Sequence, residues 1–403
     1  MAARWFLGIL FALSQRVLQV APFALFFACV FFQGSCTCTG ETPPPPRGVI
    51  ACKPQHPALP IAPSVASEIE TAAVGALPMS FSTTSTGEAS LVMPLRTVPG
   101  RGVEPSISLT YSSGGGNGTL GIGFAISAGS VITRCPSNLA DGEIREVRYD
   151  RFDKLCLDGK PLVIVGKDSG IIEYRTKPDT HTKIIGHDPE DTGTPQSFEA
   201  FLPSGMLIEY GTTAGSRPRG LGGAPRAWLA AVARDGRGNV MDYGYCFADA
   251  GEYTAEYALD EIRYTRFEGS PAIESTRAVK FVHGTKDPRD IHTHYSRGMA
   301  LQSSLRLEEV QMIGPGNELV RRYPFTYELS PTTNRTLLTQ VEECAGDVCK
   351  PPTRFQYKSD PAGFERINTS IAAPTSKRAS PMLMDMSGDG LVDLVVPDTN
   401  PAL

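Results

Sequence analysis

The chain has 403 residues, 40 of them glycine and 33 proline, and a formal net charge of −5, with a sequence pI near 5.8. Nothing in that balance points to an extended basic surface, so no nucleic-acid partner is expected. The glycines and prolines punctuate short aliphatic runs, which favours a turn-rich all-β chain long enough for two or three domains.

Residues 1–35 read as a secretory signal. Arg4 and Arg16 flank two apolar runs, and the small residues Gly34 and Ser35 precede Cys36. The second run, with Pro22 inside it, is shorter than the ~20 residues a membrane-spanning helix needs. Gly34-Ser35-Cys36 also resembles a bacterial lipobox, with Cys36 as the lipidated residue, although Gln33 stands where that pattern has Leu. Free secretion and anchoring to the outer surface through a lipid on Cys36 both stay open. Residues 36–85 read as a linker. Its four consecutive prolines, 43–46, make a stiff, extended tether that buries little surface.

A β domain is expected over 86–358. Its opening, residues 86–127, alternates strand-like runs with dense glycine. Ile107, Leu109 and Tyr111 share one face at period two, and 120–126 forms another run. The cluster 112–118, Ser-Ser-Gly-Gly-Gly-Asn-Gly, is not a phosphate cradle. Strand-type sequence follows it, with no helix start and no Gly-Lys-Ser/Thr. Its glycines suit a tight β-connection that needs positive φ. Further strands are expected at 131–134, 145–149, 161–165, 171–174, 197–202, 206–210, 228–232, 240–245, 262–265, 279–283, 305–312, 320–327, 337–341 and 353–357. Pro203-Ser204-Gly205 and the stretch 234–239 mark hairpins between them.

Several ordered motifs carry a family resemblance. They are Gly-Glu-Ala-Ser at 87–90, Pro-Gly-Arg-Gly at 99–102, the run 105–124, Ile132-Thr133-Arg134-Cys135 and Leu155-Cys156-Leu157-Asp158-Gly159. Trp228-Leu229 with Asp235, Asn239 and Tyr243 continues the order, and Glu343-Cys344 with 351–355 completes it. Together they resemble the SpvB-type domain, which opens virulence toxins, B subunits of insecticidal toxin complexes and secreted Rhs/YD-repeat proteins. The resemblance implies an irregular multi-stranded β-sandwich.

Nine cysteines occur without a Cys-x-x-Cys pair, which argues against structural zinc. In an exported chain, disulfides are expected for Cys135–Cys156 and Cys344–Cys349. Cys246 is expected to be a buried free thiol, and Cys38 and Cys52 either pair or stay free.

Residues 385–393, Asp-Met-Ser-Gly-Asp-Gly-Leu-Val-Asp, offer oxygens at positions 1, 3, 5 and 9 and a carbonyl at 7. That set suits Ca²⁺, a hard cation that takes six to eight oxygens. The spacing resembles the calcium loop of FG-GAP/VCBS repeats. The resemblance makes Asp385, Ser387, Asp389, Leu391 (through its carbonyl) and Asp393 the ligands, between strands at 381–384 and 391–396. Residues 359–403 are thus expected to hold the first strands of an incomplete β-propeller blade, the front of a longer assembly.

No catalytic constellation emerges. His292-Thr293-His294 with Asp287 and Asp290 reads as a solvated polar loop. Glu308-Glu309 and Glu342-Glu343 are adjacent, so on strands each pair points to opposite faces. The expectation is a non-catalytic scaffold of a secreted toxin-complex or Rhs-type virulence protein, part of a β shell that encloses or presents an effector. Its partners would be a downstream Rhs/YD-repeat subunit or effector chain, a pore subunit or a host surface, with membrane contact only through a lipid anchor. The alternative is a calcium-dependent adhesion or recognition protein of the bacterial surface.

Overall fold

The computed structural model describes residues 75–358 except 86, 140 and 141, together with 382–384, 386 and 393–395. The signal segment, Cys36, Cys38, Cys52 and most of the tether lie outside the described residues. Every strand pairing among the described residues is antiparallel, as the expected all-β class requires.

The first structural unit along the chain is a four-stranded sheet of Ser80–Thr83, Ala89–Leu95, Ile107–Ser112 and Phe124–Ser127. It begins inside the stretch expected to be linker. Ser80 to Thr83 pair with Val92 to Ala89, extending the sheet by one exposed edge strand.

A closed barrel follows, which the sequence did not announce. Its eight strands are Val131–Cys135, Lys154–Leu157, Lys160–Asp168, Ile171–Thr176, Lys183–His187, Ser197–Phe201, Leu207–Tyr210 and Ala227–Arg234. Trp228 opposite Ile132 closes the ring. Side chains alternate along each strand, so every second residue points inward. Ile172 and Tyr174, Ile184, Phe198 and Ala200, Tyr210, and Trp228 and Ala230 fill the interior. The Trp228 indole meets Phe198 edge-on at 5.1 Å between centroids. Such a pair adds about 0.5–1.5 kcal/mol beyond its burial.

Ala227–Arg234 belongs to two structures at once. Its first half closes the barrel and its second half pairs with Asn239–Ala250. From there a meander runs through Tyr253–Phe267, Arg277–Thr285, Leu305–Ile313, Leu319–Leu329 and Thr336–Val341. This broad sheet packs on the four-stranded sheet to give the expected sandwich. Met93, Leu109 and Phe124 from one layer meet Ile262, Tyr264, Val279, Met312 and Tyr323 from the other, with Leu120 of the glycine loop between them. The two largest polar side chains in that core keep their hydroxyls bonded. Tyr264 donates to the Val98 carbonyl at 2.6 Å, and Tyr323 accepts from the Arg96 N–H at 3.0 Å.

Two expected local structures are corrected. Residues 145–149 form no strand beyond a single bridge from Arg145 to Ser137. The chain there winds around Asp153, whose carboxylate accepts from the N–H groups of Arg148 and Tyr149 at 2.8 and 2.6 Å. Tyr149 turns left-handed, at φ 61°, which ends any extended run. Residues 292–294 are not a solvated loop. They lie in the strand His292–Ser296, paired with Met299–Ser303, and Asp290 just before them is fully buried.

Candidate functional site

A concavity with convergent charge lies against the barrel, beside Cys135–Cys156. It is a cleft of about 310 Å³ whose lining includes Arg134, Asp150, Asp153, Lys154, Tyr174 and Lys177. Arg134 stands at the centre because period two along Val131–Cys135 turns it to the same face as Ile132. Its Nη1 binds Asp153 at 2.9 Å and the Asp150 carbonyl at 2.9 Å, and its Nε binds the Pro225 carbonyl at 2.8 Å. The guanidinium also lies over the rings of Trp228 and Tyr149, at 5.4 and 5.6 Å. Arg145 adds a second cation, 3.4 Å from Asp153 and in contact with Asp150. That contact with Arg145 holds the Asp150 carboxyl below the usual carboxylate range. Arg134 and Asp153 are almost wholly enclosed, at 2% and 0% side-chain exposure, and each is the other's counter-ion. A buried pair of this kind fixes a loop; it leaves no free acid or base for proton transfer.

The structure joins Cys135 to Cys156 across neighbouring barrel strands and Cys344 to Cys349 across a hairpin. Glu342 lies near Cys344 and Cys349, but sulfurs bonded to each other are not thiolate ligands. Cys246 departs from its expectation. It is fully buried and disulfide-bonded, not a free thiol. An oxidising compartment leaves few buried thiols unpaired, and four cysteines lie outside the described residues. Opening Cys135–Cys156, whose partners are 21 residues apart, is expected to cost on the order of 3 kcal/mol through loop entropy. A Cys135→Ser/Cys156→Ser variant should therefore melt several degrees lower by calorimetry. An unchanged midpoint would refute this role.

The other expected polar sites are paired. Glu343 is buried between Arg321 and Lys350, at 2.8 and 2.6 Å. Glu309 binds Arg322 at 3.1 Å and Glu308 binds Arg306 at 2.8 Å. His283 passed unnoticed in the sequence, because a lone histidine in an apolar run carries no spacing signal. Burial on the strand Arg277–Thr285 pulls its pKa down from 6.5 to about 4. A depressed pKa means the folded state resists the proton. The associated stability is complete above pH ~6.5 and declines as pH falls towards 4, by about 1.4 kcal/mol per pH unit. Urea titrations between pH 4 and 7 should show this slope, and His283→Gln should flatten it. An equal slope in the variant would exclude His283.

Of the calcium-loop residues, Asp385, Ser387, Asp389 and Leu391 lie outside the described residues. Asp393 opens the strand Asp393–Val395, which pairs with Met382–Met384. Its Oδ2 accepts from the Met386 N–H at 2.9 Å.

Residues 83–297 match the family described as Salmonella virulence plasmid 65kDa B protein, SpvB. The chain belongs to the SpvB family. No curated protein sequence matches it. Among solved structures, TcdB2-TccC3 in its TEV form superposes with a TM-score of 0.64 at 19% identity, covering 83% of this chain and 19% of that one. The Photorhabdus luminescens Tc holotoxin pore gives the same TM-score, identity and coverage. The N-terminal domain of effector protein SpvB from Salmonella typhimurium strain LT2 gives 0.53 at 19% identity, covering 63% of this chain and 98% of that domain. At this identity the likeness is one of fold. The chain spans about a fifth of the length of the TcdB2-TccC3 chain, 19%.

Proposed function

We propose that this SpvB-type domain is a non-catalytic wall module of a secreted toxin-complex or Rhs-type virulence assembly, which encloses or presents an effector. The observation that carries the reading is the fold shared with TcdB2-TccC3 over 83% of this chain. The cleft supports it, since Arg134 and Asp153 are spent on each other and the barrel is filled by side chains. The partner is a downstream Rhs/YD-repeat subunit or effector chain, and docking on a pore subunit follows from that assembly. Export places the module outside the bacterial cell, freely secreted or held by a lipid on Cys36. Among the described residues, no helix is long and apolar enough to cross a membrane. The test is co-expression of the exported chain with the product of the reading frame that follows it. Co-elution as one species supports a shell. Separate elution of two folded proteins contradicts it.

A second reading, calcium-dependent surface recognition, is favoured by the pairing of Met382–Met384 with Asp393–Val395, where the Asp393 carboxylate accepts from the Met386 N–H. We infer that Asp385, Ser387, Asp389, the Leu391 carbonyl and Asp393 hold Ca²⁺, a set of oxygen donors suited to a hard cation. Calcium should then raise the melting temperature of the chelator-treated chain, and Asp389→Ala should abolish the rise. The absence of any calcium-dependent shift in the unaltered chain would sink the site.

A further inference from the structure

Three side chains from distant parts of the chain meet where the glycine cluster reaches the broad sheet. Asn117 lies in the short hairpin of Asn117–Gly118 and Gly121–Ile122. Lys286 directly follows the strand Arg277–Thr285, and Asp290 lies in the turn after it. The Lys286 ammonium stem and the Asp290 carboxylate both have 0% side-chain exposure. A lysine is almost never fully buried without a strong reason.

The three groups lie within contact distance of one another. Lys286 Nζ is 3.2 Å from Asn117 Oδ1 and is steered from the side by Ser303 Oγ at 3.1 Å. Asn117 Nδ2 donates to Asp290 Oδ1 at 2.7 Å. Asp290 Oδ2 is 3.9 Å from Lys286 Nζ and is held by the Thr336 N–H at 3.1 Å and the Thr336 hydroxyl at 2.5 Å. An amine and a bridging carboxylate, both buried, thus meet a half-buried carboxamide. Fixing reactants in this way replaces a bimolecular encounter with an intramolecular one.

We propose that Lys286 and Asn117 condense into an intramolecular isopeptide bond, with Asp290 carrying the proton and ammonia leaving. The neutral Lys286 amine attacks Asn117 Cγ and forms the new C–N bond. Asp290 takes a proton from the attacking nitrogen and returns it to Nδ2. The Cγ–Nδ2 bond then breaks, and ammonia departs. Amine and primary amide become secondary amide and ammonia, so no oxidant, reductant or cofactor is needed. The environment favours both roles. Burial lowers the Lys286 pKa, towards the free amine a nucleophile requires. Burial raises that of Asp290, but hydrogen bonds from Thr336 and Asn117 outweigh it and keep the carboxyl below its usual range, ready to accept. The bond would rivet the glycine loop to the broad sheet, across 169 residues of chain. Unlike the disulfides, it would survive reduction.

The experiment is peptide mapping of the exported full chain after reduction, alkylation and trypsin. The bond predicts that peptides 102–134 and 281–289 travel as one species, one ammonia lighter than their sum, with no cleavage after Lys286. Lys286→Met should return 102–134 and 281–289 separately, and Asp290→Asn should return 102–134 beside 281–286, cut after the free Lys286. Unlinked peptides from the unaltered chain would overturn the proposal. So would an unlinked 102–134 that lacks ammonia, the mark of a succinimide at Asn117-Gly118. A linked product in Asp290→Asn would remove the carboxylate from its role. The unaltered chain decides the bond itself even where a variant does not fold.

Discussion

Trp228→Ala is expected to lower unfolding stability by about 3–5 kcal/mol, the range for deleting a large enclosed aromatic side chain. Among the described residues Trp228 is the largest fully buried side chain, and it lies on the strand that closes the barrel and opens the broad sheet. Its ring packs against Phe198 and supports the Arg134 guanidinium. It also fills the space beside Gly211, where a Cβ would come within 2.5 Å of the indole. The cavity would therefore open at the seam between barrel and sandwich. The Trp228 Nε1 makes no hydrogen bond with the described residues. The loss is thus one of packing, and Trp228→Phe should cost under half as much. Urea unfolding followed by far-ultraviolet circular dichroism separates the cases. Equal losses in the two variants would show that a polar contact, not ring packing, holds the seam.

The barrel shows where sequence reading stops. Most of its strands were legible, since apolar alternation marks 171–174 and 197–202 and glycine or proline turns separate them. Its closure was not. Trp228 opposite Ile132 joins residues almost a hundred positions apart, and no local pattern encodes that pairing. The strand Lys183–His187 was missed because Lys183, Gly186 and His187 dilute its only apolar pair, Ile184 and Ile185. The mistaken strand at 145–149 has the opposite cause. Arg-Glu-Val-Arg-Tyr alternates acceptably, yet the Asp153 carboxylate offers its backbone N–H groups a better acceptor than a neighbouring strand would. The two disulfides among described strands were legible from an oxidising compartment and short separations. The cluster of Asn117, Lys286 and Asp290 was not. Each residue reads locally as surface turn chemistry, and only the approach of the glycine loop to the sheet brings Asn117 onto the buried Lys286 and Asp290.

Gly121→Ala is expected to be among the most damaging small substitutions, at several kcal/mol. Two effects add. Gly121 has φ +85°, where an added Cβ costs on the order of 1 kcal/mol. The new Cβ would also stand 2.3 Å from the Thr336 carbonyl oxygen and 2.8 Å from its carbon. Both are backbone atoms of a strand paired into the sheet, so they cannot rotate aside as a side-chain end would. Relief would have to come from the glycine loop moving off the sheet. That movement draws Asn117 away from Asp290 and Lys286. Gly116→Ala provides the comparison, because a Cβ there meets nothing within 4 Å. It should change stability by less than ~0.5 kcal/mol, as surface substitutions usually do. Thermal unfolding of the pair therefore asks what the glycine cluster is for. A large loss at Gly121 beside near-neutrality at Gly116 assigns it to close approach between backbones. Similar small losses at both positions would assign it only to flexible turns.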